Sequence, residues 1–160
     1  MKNMTILFAI LILIWLSAVS CSNTQKTDKS ADELMSAVLA AVPLEAGYYT
    51  VSEAYFDYYF DAEGVLDWSV VRSKSQSSEN EIGVLVAESG RLEEVRSRCS
   101  QYLEEQRIAY LEAKAAYTPE EYEKYRDAEV LVYGNCVVYF ILGNKDRASA
   151  ISAVETCLSD

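Results

Sequence analysis

Histidine is absent from all 160 residues. With it go the Ser-His-Asp and Cys-His arrangements of nucleophilic catalysis and every zinc site that uses an imidazole. Glycine is sparse, and Gly47, Gly64, Gly83, Gly90, Gly134 and Gly143 each stand alone, so there is no glycine-rich loop to cradle a phosphate or dinucleotide. Positive charge is also short: 14 Lys and Arg face 25 Asp and Glu, a formal charge of −11. Such a surface repels nucleic-acid phosphates and anionic lipid head groups alike, which excludes nucleic acid as a partner. The four cysteines show no C-x-x-C spacing, so no metal, cofactor or redox motif is implied.

What is present begins at the N-terminus. Lys2, an uncharged run from Ile6 to Leu16 and the small residues Ser17-Ala18-Val19-Ser20 lead directly into Cys21. A membrane-crossing helix needs about 20 apolar residues, roughly twice that run. The pattern is instead an export signal over residues 1–20, cleaved before Cys21, whose thiol is then the lipid-attachment site. Two or three acyl chains, each methylene worth about 0.8 kcal/mol when buried, would hold the protein firmly at the outer face of the cytoplasmic membrane. Ala18-Val19-Ser20 also satisfies the small-x-small rule of ordinary secretion, which makes a freely secreted form the alternative. Cleavage removes one base, leaving 13 against 25 acids and a charge of −12. Residues 21–30 are expected to be a disordered tether, because Ser22–Ser30 carry no apolar side chain, with a reach of roughly 30 Å. Residues 31–160 suffice for one domain with its own core.

Within that body, Ser30 and Glu33 have capping-box spacing ahead of Leu34, Met35, Val38, Ala41 and Val42, which share one helical face before Pro43. Leu66, Trp68 and Val70 alternate with polar residues as a half-buried strand does, and Ile82, Val84 and Val86 repeat the pattern after the loop SKSQSSEN. A long helix is predicted from Gly90 to about Ala116, with Leu92, Val95, Cys99, Tyr102 and Gln106 facing inward. Gln106 on that face requires a hydrogen-bond partner. Thr118-Pro119-Glu120-Glu121 opens a short helix to about Asp127. Glu129–Tyr133 and Cys136–Leu142 flank Gly134-Asn135, a two-residue hairpin turn, and the second run is apolar throughout, as a central strand is. A last helix follows Asn144 or Asp146, with Ala148, Ile151 and Val154 inward. The result is an α+β domain in the order αββααββα, with a four-stranded, mostly antiparallel sheet packed by the long helix and by N- and C-terminal helices. Three small buried hydrophobes are the favoured reading of Cys99, Cys136 and Cys157; Cys99 and Cys157, both on apolar stripes, form the preferred pair should a disulfide exist.

These residues carry a resemblance. The signal, ENEIGVLVAE with Glu81, Ile82 and Val84, the helix with Arg98 and Gln106, YTPEE from Tyr117 to Glu121, and YGNCVVYFIL from Tyr133 to Leu142 resemble a family of uncharacterised lipoproteins of Gram-positive Firmicutes, domain-of-unknown-function family 4358. The resemblance implies an envelope lipoprotein and brings no known activity.

The one compositional anomaly of the body is aromatic. Tyr48, Tyr49, Tyr55, Phe56, Tyr58, Tyr59 and Phe60 lie within thirteen residues. Aromatic faces stack on sugar rings and anchor protein interfaces, so Tyr55, Phe56, Tyr58, Tyr59 and Phe60 form a candidate binding surface for an envelope protein or glycan. The competing reading is a short helix or turn capped by Ser52 that packs some of these rings onto the sheet. Asp57, Asp61, Glu63 and Asp67 flank the rings; two carboxylates beside an aromatic cleft are what a glycan hydrolase requires, with Asp57 and Asp61 the pair. Their spacing does not match a calcium-binding EF-hand loop. The function expected is thus a non-catalytic, lipid-anchored binding module. The alternatives are a cell-wall glycan hydrolase or a structural subunit of a membrane complex whose partner covers a sheet or hairpin face including Leu131 and Tyr133.

Overall fold

The computed structural model describes residues 26–43, 47–75, 78–113 and 118–159. The signal, Cys21 and the expected continuation of the long helix to Ala116 lie outside the described residues. In chain order the elements are α1 (Ala31–Ala41), β1 (Tyr48–Thr50), α2 (Glu53–Phe60), β2 (Val65–Ser73), β3 (Glu81–Ala87), α3 (Leu92–Ala113), α4 (Pro119–Arg126), β4 (Val130–Tyr133), β5 (Cys136–Ile141) and α5 (Asn144–Ser159). The α+β class is as expected, but the sheet has five strands in the order β1-β2-β3-β5-β4, every neighbouring pair antiparallel. The extra strand is the three-residue edge β1, too short to show an alternation. Beyond it the aromatic segment folds as α2, adding a helix to the expected order.

Two helical layers sandwich the sheet. On one face Val70, Leu85, Val137, Tyr139 and Ile141 meet Phe56 and Phe60 of α2, Val95, Cys99, Tyr102 and Leu103 of α3, and Tyr125 of α4. On the other, Val71, Ile82, Val84, Val86, Val138 and Phe140 meet Leu34, Met35 and Val38 of α1 and Ala150 and Val154 of α5. This is why β3 and β5 are buried at every position, whereas β4 at the edge is only half-covered. In β2 the register shifts between Val65 and Asp67, and Leu66 is turned outward at 56% exposure instead of pointing into the core with Trp68 and Val70.

Local signals account for most of the boundaries. At α1 the Glu33 N–H donates to Ser30 Oγ at 3.2 Å and the Ser30 N–H to Glu33 Oε2 at 2.8 Å, the reciprocal capping box. Tyr55 N–H donates to Ser52 Oγ at 3.2 Å and starts α2. Asp61, at φ 55°, ends it. There the Arg98 guanidinium collects the carbonyls of Phe60 (2.8 Å), Asp61 and Glu63 (2.7 Å), binding α2 to α3 through its own loose carbonyl end. Thr118 differs from expectation: its side chain makes no cap bond and instead meets the Tyr110 hydroxyl. Gly134, at φ 62°, and Asn135 make the two-residue turn between Tyr133 and Cys136. In α5, Ala148 is exposed and Ala150 takes the inward position.

Of the expected tether, residues 26–30 are described. Thr27 N–H donates to Asn135 Oδ1 at 2.7 Å, while Asn135 Nδ2 donates to the Ala87 carbonyl at 3.2 Å. The chain thus joins the body at the β4–β5 turn. Cys99, Cys136 and Cys157 are all free. Cys99 packs on the α3 side of the sheet and Cys157 on the α1 and α5 side, so the sheet itself separates the preferred pair.

Candidate functional site

At the end of the sheet opposite the β4–β5 turn, Tyr49, Arg72, Glu81 and Ile141 are successive cross-strand partners on the α3 side. Glu81 is 3% exposed, and a carboxylate so deep must be paired or neutralised. Three elements supply its partners. Tyr102 of α3 donates at 2.7 and 2.9 Å, Tyr139 of β5 at 2.7 Å, and Arg72 Nε of β2 lies 3.1 Å from Oε2. Because the Tyr102 proton is committed to Glu81, the 2.6 Å contact between the Tyr55 and Tyr102 hydroxyls must have Tyr55 as donor. A directed chain therefore runs from Tyr55 of α2 through Tyr102 to Glu81.

Gly83 makes the Tyr139 contact possible. A Cβ there would sit 2.0 Å from Tyr139 Cε1, so the bare backbone of β3 is what lets the ring lie across it and reach Glu81. Here it is space, and not a left-handed backbone, that demands glycine.

The electrostatics follow from burial. Burial raises the Glu81 carboxyl above its ordinary value, and hydrogen bonds from Tyr139 and Tyr102 and the charge of Arg72 offset this without cancelling it. Burial and then the Glu81 charge push the Tyr102, Tyr139 and Tyr55 hydroxyls far up, so all three remain protonated donors. Burial works against the Arg72 charge, but Glu81, followed by Tyr55 and Tyr102, holds it above the ordinary range. With its oxygens spoken for and its surroundings closed, Glu81 anchors structure; the groups that can meet a ligand are Arg72 and the outer tyrosines.

Those outer groups form a strip. Tyr58 is 80% exposed and meets Tyr59 edge-on at 4.8 Å. Tyr59 meets Tyr55 at 4.7 Å. The Tyr55 ring faces the Arg72 guanidinium at 5.7 Å, and Tyr49, 45% exposed, lies beside Arg72 on β1. Where the strip ends, Tyr49, Arg72, Ser73, Ser75, Glu79 and Asn80 line a recess of about 160 Å³. Its far wall is held from α4: Tyr125 donates to Glu79 Oε2 at 2.8 Å, and Lys124 Nζ donates to Asn80 Oδ1 at 2.8 Å while pairing with Glu121 at 2.7 Å.

The five aromatic residues expected at a surface therefore divide. Phe56 and Phe60 are core, 0% and 1% exposed, with Phe56 stacked on Trp68 at 4.1 Å. Tyr55 and Tyr59 are half-buried, and Tyr58 alone is largely open. The cause is helical periodicity: Phe56 and Phe60 stand four apart on the inward face of α2. Asp57 and Asp61 lie exposed on its outside, Asp61 3.8 Å from Arg98, and neither lines the recess. Gln106 is half-exposed instead of inward. Leu131 and Tyr133 are half-buried on the edge strand β4, each with one side packed against the α1 and α5 core. Sequence reading missed Glu81 and Arg72 as a pair. The available signal was strand parity, which sets Glu81, Gly83 and Leu85 opposite Ile82, Val84 and Val86.

No family model, curated protein or solved structure matches the chain. Among the described residues no helix is long and apolar enough to cross a membrane, and no group of three or more acidic or cysteine side chains could hold a metal ion.

Proposed function

We propose that this chain is a non-catalytic binding module of the cell envelope, anchored through a lipid on Cys21 and presenting the strip Tyr58, Tyr59, Tyr55, Arg72 and Tyr49 away from the membrane. The motif resemblance to the uncharacterised lipoproteins belongs to this proposal. One observation carries it. Thr27 is fixed at the β4–β5 turn, and the strip's Arg72 end lies at the other end of the sheet. From Cys21 to Thr27 the chain can span at most about 20 Å. The six residues of β5 (Cys136–Ile141) separate the two ends by about 17 Å more. An anchor so placed directs the tyrosine strip outward.

The buried network supports a binding role in another way. Half-exposed tyrosines make useful contacts only if they are already ordered, and Tyr55 is fixed from beneath through Tyr102 and Glu81. The test is capture of envelope protein or wall glycan by the full-length protein in native membranes, comparing wild type with Tyr58→Ala and Tyr49→Ala. Both side chains are open enough to lose without harming the fold. A specific captured species should fall at least tenfold in either variant, and unchanged capture removes the strip from consideration.

A further inference from the structure

Resting on that reading of the strip, we infer that the recess at its end is a site for an α-ammonio-carboxylate group, the zwitterionic head of an amino acid. Its two charged walls are one of each sign. Arg72 spends Nε on Glu81, and neither terminal amino group donates to a described residue, so the fork that binds a planar carboxylate in bidentate fashion is available. Glu79 lines the same space; its carboxylate already accepts the Tyr125 hydroxyl, and a carboxylate accepts several donors at once. Ser73, Ser75 and Asn80 add polar groups to the lining among the described residues.

Size and field narrow the class. A recess of about 160 Å³ has room for about five water volumes, which suits the five heavy atoms of glycine and is too small to enclose a whole sugar ring or nucleotide. A chain of charge −11 repels a simple anion as it approaches. A simple cation drawn to Glu79 would bring no negative charge to match Arg72. A zwitterion meets neither objection, because each of its charges lies against an opposite one. The Glu81 pairing fixes the guanidinium in advance, so little freedom is lost on binding.

The group could arrive as a free small amino acid or at the end of a side chain on an envelope polymer. Full-length protein in detergent is titrated with glycine, D-alanine, Nε-acetyl-lysine, acetate and methylamine, following the amide resonances of Ser73 and Asn80. Saturable shifts with glycine and alanine, absent with acetate and methylamine and weakened at least tenfold in both Arg72→Lys and Glu79→Gln, are expected. Both variants keep the neighbouring contact to Glu81 or Tyr125, and circular dichroism verifies their fold. Tighter binding of Nε-acetyl-lysine than glycine assigns the displayed form; equal or weaker binding assigns the free amino acid. Saturation by acetate or methylamine at glycine's concentrations, shifts indifferent to both substitutions, or no saturable shift at all would overturn the inference. Tyr58→Ala should leave glycine binding intact, so failure of the strip and failure of the recess are read separately.

Discussion

Replacing Gly83 with alanine isolates the close approach on which the buried network depends. The new methyl carbon would stand 2.0, 2.4 and 2.7 Å from three atoms of the Tyr139 ring. That ring cannot swing away cheaply. It is 0% exposed, lies 5.8 Å from Phe60 and 5.7 Å from Tyr102 between ring centres, and is tied to Glu81 at 2.7 Å. Overpacking of this kind costs about 1–3 kcal/mol, and losing a hydrogen bond to a charged acceptor costs about 1.5–3 kcal/mol. Alanine returns about 0.5–1 kcal/mol by restricting the unfolded chain. A net loss of about 3 kcal/mol is expected, which at a slope of about 2 kcal/mol per molar lowers the urea midpoint by about 1.5 M. A double-mutant cycle with Tyr139→Val makes the test specific. With the ring gone the alanine should cost little, giving a coupling of at least about 1.5 kcal/mol in the double variant's favour. If Gly83→Ala lies within about 0.5 kcal/mol of wild type, the account of the Tyr139 contact is wrong.

Four further outcomes are expected. The Glu81 carboxyl lies above its ordinary value in the folded state, so the proton it holds stabilises the fold below about pH 4.5 and that contribution is lost as pH rises through the folded value; the stability of wild type relative to Glu81→Gln should fall over that window, and a flat or rising difference contradicts it. Ser30→Ala removes the side-chain half of the α1 capping box and should cost about 0.5–2 kcal/mol in chemical denaturation. Arg98→Ala strips three carbonyls of their donor and should speed hydrogen exchange in α2 more than in α1. Burial pushes the Cys99 and Cys136 thiols up to about 12, so at neutral pH a thiol reagent should modify Cys157 alone among the three, with the others labelled only after denaturation, as intact-mass measurement will show.

Legibility in the sequence followed how local each cause was. The Ser30 and Glu33 box, the Gly134-Asn135 turn and the apolar run of β5 announce themselves within a few residues, and each is present. Ser52 was equally visible as a cap, but α2 behind it reads two ways, because its tyrosines and phenylalanines are all aromatic and only the spacing of Phe56 and Phe60 marks the inner face. β1 escaped because its three residues are held by pairing with Val71, Arg72 and Ser73, a partner distant in sequence. The site was the least legible part. Glu81 is one acid among 25, and its meaning comes from Tyr55, Arg72, Tyr102 and Tyr139, which only the folded chain assembles. Gln106 shows the converse: a helical period extrapolated past Tyr102 overshoots, since the inward row continues through Leu103 and Tyr110.

The placement of Glu81 also bears on which folds this chain must avoid. Strands as uniformly apolar as β3 and β5 offer few reasons to prefer one alignment over its neighbours, since valine against valine is much the same after a slip. A one-residue slip of β3 would carry Glu81 to the opposite face, among Leu34, Val38 and Phe140, where its three tyrosine and arginine donors cannot follow. The misaligned sheet would bury an unmatched carboxyl and strand those donors, a penalty that apolar packing alone would never impose. The acid thus acts as a proofreading mark in an otherwise repetitive core, setting the pairing of β2, β3 and β5 by chemistry where shape alone is ambiguous.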